Sequence, residues 1–470
     1  MVSPTASLTA LIEALDSKAV SAVELLTMYL DRIERLDELT NAVVALAADR
    51  AHREARQIDD DRAAGRALGR LAGVPITIKD ALATKGICST GGATELQSFV
   101  PDTDATVVAT VRDEGAIVFG KTNVPRWSGD YQSFNNIFGT TNNPWDVTRT
   151  PGGSSGGPAA AVAMGFTGFE IGTDIGGSVR VPSSFCGIYG HKPSFGVVPT
   201  FGYLDSVRYH RNVADVNVFG PMARSIDDLD LLMDLLAGPN PDDAVGWRLE
   251  LPPPRATALG DFRVAAWLDD PFCPVDSSVS SVLTAAVAAL DKAGARIDHG
   301  LRPNLDVPTA SVDGANLIGA ATDISDSDDL DAPGPSAETG MTHRVWDVLH
   351  RQRGQNRERW SDFFADIDVL LCPVTPVPAF GHVHASEGSN WAHSVLSDFD
   401  DMPYRHLLRW NTLVGSAYLP VTTPPIGRTA DGLPVGIQVV APYLHDRTAL
   451  AFARCITEVL GGYTPPPLAT

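Results

Sequence analysis

Lysine is scarce in this chain, with six residues against thirty arginines, and the formal net charge is −21. A phosphate-binding surface needs clustered Lys and Arg, so this balance argues against nucleic acid or an anionic membrane surface as the main partner. Cysteine is also sparse. Cys88, Cys186, Cys273, Cys372 and Cys455 are scattered, odd in number and without C-x-x-C spacing, which fits reduced thiols better than a disulfide framework. No apolar run approaches the ~18 residues of a membrane span. The opening "MVSPTASLTALIEALDSKAV" carries charges within its apolar pattern and no basic start, unlike a secretory signal. The expected location is cytoplasmic. The eleven histidines form no H-E-x-x-H, and no G-x-x-x-x-G-K-[ST] occurs. His382 and His384 in "GHVHAS" fall on one strand face but lack a third ligand at suitable spacing. No metal or cofactor is expected.

What is present describes a globular α/β protein. The chain has 470 residues, 44% apolar and 20% charged. That length suggests two to four domains, or one large α/β domain with additions. Ser21 and Glu24 have capping-box spacing, and Leu25, Leu26, Tyr29, Ile33 and Leu36 follow at helical intervals. A more polar helix follows, stopped by Gly65. In "GVPITIKD" the period changes to two, with Val74, Ile76 and Ile78 alternating as in a strand. "FRVAAWL" reads as a strand, followed by a helix with Val279, Val282, Leu283, Ala286 and Leu290 on one face and Gly294 past its end. "LELPPPRATALG" is the best linker candidate, and the acidic "DISDSDDLDAPGP" reads as a solvent loop.

Three stretches carry candidate chemistry. "TPGGSSGGPAAAVAMG" matches G-x-S-x-G in two registers, yet no apolar strand runs into it, as a nucleophile elbow requires. Pro158 and the alanines continue as a helix, which places Ser154 and Ser155 against a helix N-terminus. In "GTDIGGSVRVPSSFCG" Ser178 follows two glycines, so the N–H groups of Ile175, Gly176, Gly177 and Ser178 can converge as an oxyanion hole. A glycine-rich turn with a capping serine explains the same letters. Asp174 and Arg180 bracket this loop and can pair across it, or be ordinary surface charges. Lys79 ends the alternating strand. Buried, it becomes a neutral base for a serine; taken alone, "PITIKD" more often describes a lysine reaching solvent.

Together these blocks resemble the amidase signature family. "GVPITIKD", "GAIVFGKTN", "TNNPWD", "TPGGSSGG", "GTDIGGSVRVPSSFCGIYGHKPS" and "GPMARSIDDLDLLMDLLAG" stand in that family's order, with "DVLLCPVTPVPA" and "DGLPVGIQVVAP" near the end. The resemblance implies one amidase domain over 1–470. It comprises N-terminal helices over 1–70, a signature core over 71–240 and a C-terminal part over 260–470 that completes a large mixed β-sheet covered by helices on both faces. It implies a Ser–Ser–Lys triad of Lys79, Ser154 (the bridging serine, preceded by a cis peptide) and the nucleophile Ser178, 24 residues further on. Ser155 would support the lysine, with Gly129, Asp130 and Tyr131 near the acyl pocket. Segment 300–410 would shape that pocket, with Trp346, Trp360, Trp391 and Trp410 among its large apolar residues or in the core. Pro158 and Arg126 depart from the family pattern.

The expected function is therefore an amidase that cleaves a C–N bond of a non-peptide carboxamide through a seryl acyl-enzyme, with aryl esters and carbamates as further candidates. Its expected partner is a small-molecule substrate, without nucleic acid or membrane; a homodimer is compatible. Two alternatives remain. One is the glutamine-hydrolysing A subunit of a tRNA-dependent amidotransferase, ranked lower because segment 200–218 does not resemble that subunit. The other is a catalytically silent binding protein of the same fold.

Overall fold

The computed structural model describes residues 2–205, 208–209, 213–322, 341–384, 394–398 and 400–469. The acidic tract 323–335 and Trp391 lie outside them.

Among the described residues the main sheet has nine strands. Its order runs Arg296–Asp298, Arg263–Ala266, Val369–Pro373, Pro434–Val440, Val421–Thr423, Tyr189–Lys192, Val218–Ala223 and Glu170–Asp174, with Pro425–Arg428 also paired to Pro434–Val440. Arg263–Ala266 pairs in parallel with both its neighbours, and the pairings from Val369–Pro373 onward are antiparallel, so the sheet is mixed. The chain order explains the mixture. Crossovers through helices give the parallel end, whereas the residues after 368 return to pair beside the strand Tyr189–Lys192.

Side chains alternate across Tyr189–Lys192. Tyr189 and His191 reach the last helix, Asp446–Leu460, where Tyr189 Oη meets Thr457 Oγ1 at 2.8 Å and His191 Nε2 meets Asp446 Oδ1 at 3.2 Å. Gly190 faces the helix Arg180–Cys186, where a Cβ would fall 2.1 Å from Ser183 Oγ. Helices therefore cover both faces, and the missing side chain at 190 lets one of them lie close.

Lys79 belongs to a separate three-stranded sheet of Val43–Leu46, Ile117–Thr122 and Pro75–Lys79. Thr77 N–H donates to Thr167 Oγ1 at 2.9 Å and Gly168 N–H to the Pro75 carbonyl at 3.1 Å, docking this sheet beside the edge strand Glu170–Asp174.

Local signals translate as expected for several helices. Ala22–Thr40 carries the complete Ser21/Glu24 capping box and buries Leu25, Leu26, Tyr29 and Ile33. Ser277–Lys292 buries Val279, Leu283, Ala286 and Leu290, and Gly294 beyond it adopts φ +102°. Pro158 sits in the first turn of Gly156–Met164, where its missing N–H costs no helical bond. The stretch 249–260 is irregular except for a short turn at Leu259–Asp261, and Arg255 ties it to the Phe364 and Ile367 carbonyls at 2.8 and 3.1 Å.

The candidate pocket tryptophans are elsewhere. Trp360 and Trp410 are fully buried in the core: Trp360 packs on Phe363 and Phe364, and Trp410 lies edge-on to Trp267. Trp346 stacks between His343 and His350 on its own helix, His343–Asp366. The rings of His382 and His384 are 5.6 Å apart, and among the described residues no group of three His, Cys, Asp or Glu is placed to hold a metal.

Candidate active site

The site forms where three backbone segments meet. The strand Pro75–Lys79 is buried on both faces, because the face bearing Thr77 and Lys79 is covered by Glu170, Thr173 and the loop before Gly156–Met164. Lys79 does not reach solvent. Its Nζ lies 2.7 Å from Ser154 Oγ, 2.9 Å from Ser155 Oγ and 2.7 Å from Thr173 Oγ1. Burial pulls its pKa down to about 7, although the Asp174 and Glu170 carboxylates oppose that shift.

Two members of this cluster escape a reading of the sequence. Thr173 supplies the third hydroxyl on Lys79. Glu170 accepts from the Thr77 and Thr122 hydroxyls at 2.7 and 2.9 Å and from the Lys79 N–H at 3.1 Å. Burial pushes Glu170 up to about 7. A lone acid at the start of an apolar strand, in "FEIGTD", is the available signal.

Ser154 and Ser155 sit in a loop whose Gly153–Ser154 peptide is cis. The surrounding glycines serve packing, against partners other than the lysine. A Cβ on Gly153 would lie 2.6 Å from the Asp130 carbonyl and the Gln132 backbone, and one on Gly157 would lie 2.4 Å from the Asn123 backbone. Neither position has room for any other residue. Ser133 Oγ pins the loop, accepting the Gly156 N–H at 3.0 Å and lying 3.2 Å from the Gly152 and Ser154 carbonyls.

The second loop is built around Asp174. Its carboxylate pairs with Arg180 at 2.8 and 3.0 Å with both side chains fully buried, and accepts the N–H groups of Gly177 at 2.9 Å and Val179 at 3.1 Å. Burial favours its neutral form, but the Arg180 guanidinium and these donors outweigh it and hold the pKa at about 2. Asp174 and Arg180 are thus an internal brace, not surface charges. The same bonds correct one expectation: the Gly177 N–H is already committed to Asp174. Ile175, Gly176 and Ser178 keep N–H groups without a partner among the described residues. Ser155 N–H donates to the Ser178 carbonyl at 3.2 Å and joins the two loops.

Ser178 is 6% exposed and opens on a cavity of about 370 Å³. Gly129, Asp130, Tyr131, Ile175 and Gly176 line it, as do Trp127, Tyr203 and Ile318. Tyr131 Oη donates to the Gly176 carbonyl, and Tyr404 Oη to Asp130 Oδ1 at 2.6 Å. Ala315, Ile318, Gly319, Ala321, Thr322 and Leu408 form part of the wall, which has no tryptophan from the described part of 300–410. The wall at Ala214 and Asn217 is tethered from behind: Asp215 pairs with Arg353 at 2.7 Å and accepts Tyr418 Oη at 2.6 Å.

The sequence matches the family described as Amidase over residues 24–328 and 334–450. It is 33% identical to the A subunit of the glutamyl-tRNA(Gln) amidotransferase of Acaryochloris marina over 488 aligned residues, 95% of this chain and 96% of that protein. The corresponding protein of Trichodesmium erythraeum is 32% identical over 480 residues, 94% and 95% of the two chains. Among solved structures, a chain from a vestigial protein complex that bears on the evolutionary origins of an s-triazine catabolic enzyme superposes with TM-score 0.84. It is 25% identical and covers 98% of this chain and all of that one.

These likenesses overturn two expectations. Near-full-length identity to amidotransferase subunits displaces the reading of a hydrolase of a non-peptide carboxamide, and relatives named for glutamyl-tRNA displace a partner set of small molecules without nucleic acid. Segment 200–218 is a poor discriminator beside 32–33% identity over nearly the whole of both chains. Net charge is no better a guide, because it does not report on a partner that an assembly brings. Among the described residues no helix is long and apolar enough to cross a membrane. By sequence match and fold alike, the chain belongs to the amidase signature family, whose enzymes act on carbon–nitrogen bonds.

Proposed function

We propose that this chain is a glutamine-hydrolysing subunit of the amidotransferase A type, releasing ammonia from the glutamine side-chain amide within a complex that works on glutamyl-tRNA. The observation that carries this reading is the 32–33% identity to such subunits over nearly the whole of both chains. In this reading 1–470 works as one amidase unit with its machinery in 71–240.

Neutral Lys79 takes a proton from Ser154 Oγ, Ser154 takes one from Ser178 Oγ, and Ser178 attacks the amide carbon. The N–H groups of Ile175, Gly176 and Ser178 receive the oxyanion. As the C–N bond breaks, the proton returns through Ser154 to the departing nitrogen, which leaves as ammonia. Water then adds to the acyl-enzyme, its proton passing along the same relay, and glutamate leaves. Ser155 and Thr173 hold the Lys79 amine toward Ser154. Asp174 and Arg180 keep the donor loop in shape. The 2.7 Å contact between Lys79 and Ser154 and the lowered pKa of the lysine support this route.

The test is glutamate and ammonia release from glutamine, measured with and without the partner subunits of a related complex, for the wild type and Ser178→Ala. Release by the wild type alone, rising with the partners, is expected. A chain that a fluorophosphonate labels at Ser178, yet that leaves glutamine intact in the presence of partners, overturns the substrate and keeps the nucleophile.

A further inference from the structure

A second cleft, about 630 Å³, shares no lining residue with the catalytic cavity. One wall is the helix His343–Asp366, which contributes Arg357, Ser361 and Phe364; Arg255, Tyr443 and His445 close the other side.

Arg353 and Arg357 lie one turn apart on that helix, and both guanidinium groups stack on the ring of Tyr418, at 4.7 and 4.8 Å. Their charges are treated differently. Arg353 is buried and neutralised by Asp215 at 2.7 Å. Arg357 is held between Tyr418 and Tyr443, 4.9 Å from the second ring, and has no ion pair among the described residues. Both rings are fixed through their hydroxyls, Tyr418 by Asp215 at 2.6 Å and Tyr443 by the Phe195 carbonyl at 3.1 Å. Stacking between aromatic faces orients a guanidinium while leaving its in-plane N–H groups available. Near the same cleft, His445 Nδ1 is buried without a partner among the described residues. Arg255 adds a second cation, braced by the Phe364 and Ile367 carbonyls and Asp368. The carboxylate in the lining is Glu358, on the exposed side of the helix. A pre-oriented arginine with no ion pair among the described residues, over walls of Phe364, Leu419 and Pro442, stands out in a chain of net charge −21.

We propose that this cleft binds a small organic anion, a carboxylate or phosphate carried on an aromatic or other apolar body. Arg357 anchors the anionic group through its fork of N–H donors, and the apolar body lies against Phe364 and Tyr443. This site stands independently of the reaction assigned to Ser178.

Calorimetric titration of the full chain with benzoate, phenyl phosphate and inorganic phosphate tests it. Benzoate or phenyl phosphate should bind the wild type and Ser178→Ala alike, and the preferred one identifies the anionic group. Arg357→Gln should weaken binding about tenfold or more. Arg351→Gln, at an exposed arginine of the same helix, should leave it unchanged. Ser361→Trp, which fills the cleft from an exposed position, should abolish binding while fluorophosphonate labelling of Ser178 continues. The proposal fails if none of the three probes binds at millimolar concentration. It also fails if Arg357→Gln binds like the wild type, if labelling Ser178 blocks binding, or if inorganic phosphate binds as tightly as phenyl phosphate.

Discussion

Lys79 and Lys192 are both enclosed by protein, and burial pulls both pKa values down to about 7. Their partners differ. Lys79 meets three hydroxyls, each able to accept from the amine or donate to it. Lys192 donates to the Pro193 and Leu419 carbonyls at 3.0 and 2.8 Å, groups that only accept. Desolvation makes an amine a base at neutral pH; a neighbour with a proton to give, next to a cavity, makes that base useful. Lys121, also buried and pulled down to about 8, bonds the Leu82 carbonyl and Thr84 near Asp80, and likewise holds backbone in place.

Four measurements bear on this contrast. Lys79→Met should slow labelling of Ser178 by a fluorophosphonate about 10³-fold, whereas Lys192→Met should slow it less than about tenfold. Within the hydroxyl set, Ser154→Ala should cost about 10²- to 10⁴-fold in acylation rate and Ser155→Ala about tenfold, because the proposed relay runs through Ser154 alone. The acylation rate should fall about tenfold per pH unit below about 7, where Lys79 gains the proton that disables it, and level off above. That midpoint should not move in Lys192→Met. Finally, Lys192→Met should lower stability to denaturant by about 1–3 kcal/mol, since it strands two buried carbonyls. Equal rate losses in the two methionine variants would erase the distinction.

Much of the local structure is legible in the sequence. Ser21 and Glu24 announce a helix start, the apolar period of 277–292 a helix face, and the alternation in "PITIKD" a strand. The convergence of Lys79 with Ser154 comes from the family resemblance, because nothing within "PITIKD" says what covers its polar face. Thr173 and Glu170 are hidden for the same reason: their roles arise from the docking of one sheet edge on another, a contact between residues about 90 apart. The donor loop is legible in composition but not in allocation, since only geometry shows Asp174 taking the Gly177 N–H. The cavity walls are less legible still. Trp127, Tyr203 and Ile318 come from three distant segments, while Trp346, Trp360 and Trp410, the described tryptophans of 300–410, go to the core or the helix surface. Function is the least legible, because the motifs are shared across the family, and the one short segment that promised to tell members apart is outweighed by identity over the whole chain.

The burial of Lys79, Lys121 and Lys192 leaves Lys18, Lys85 and Lys292 as the exposed lysines. Amine-directed chemistry on the folded protein, whether crosslinking, dye attachment or immobilisation on a resin, thus has only these three side chains to work with, and none of them lines the catalytic cavity or the second cleft. The protein can be tethered through its lysines with both cavities left clear.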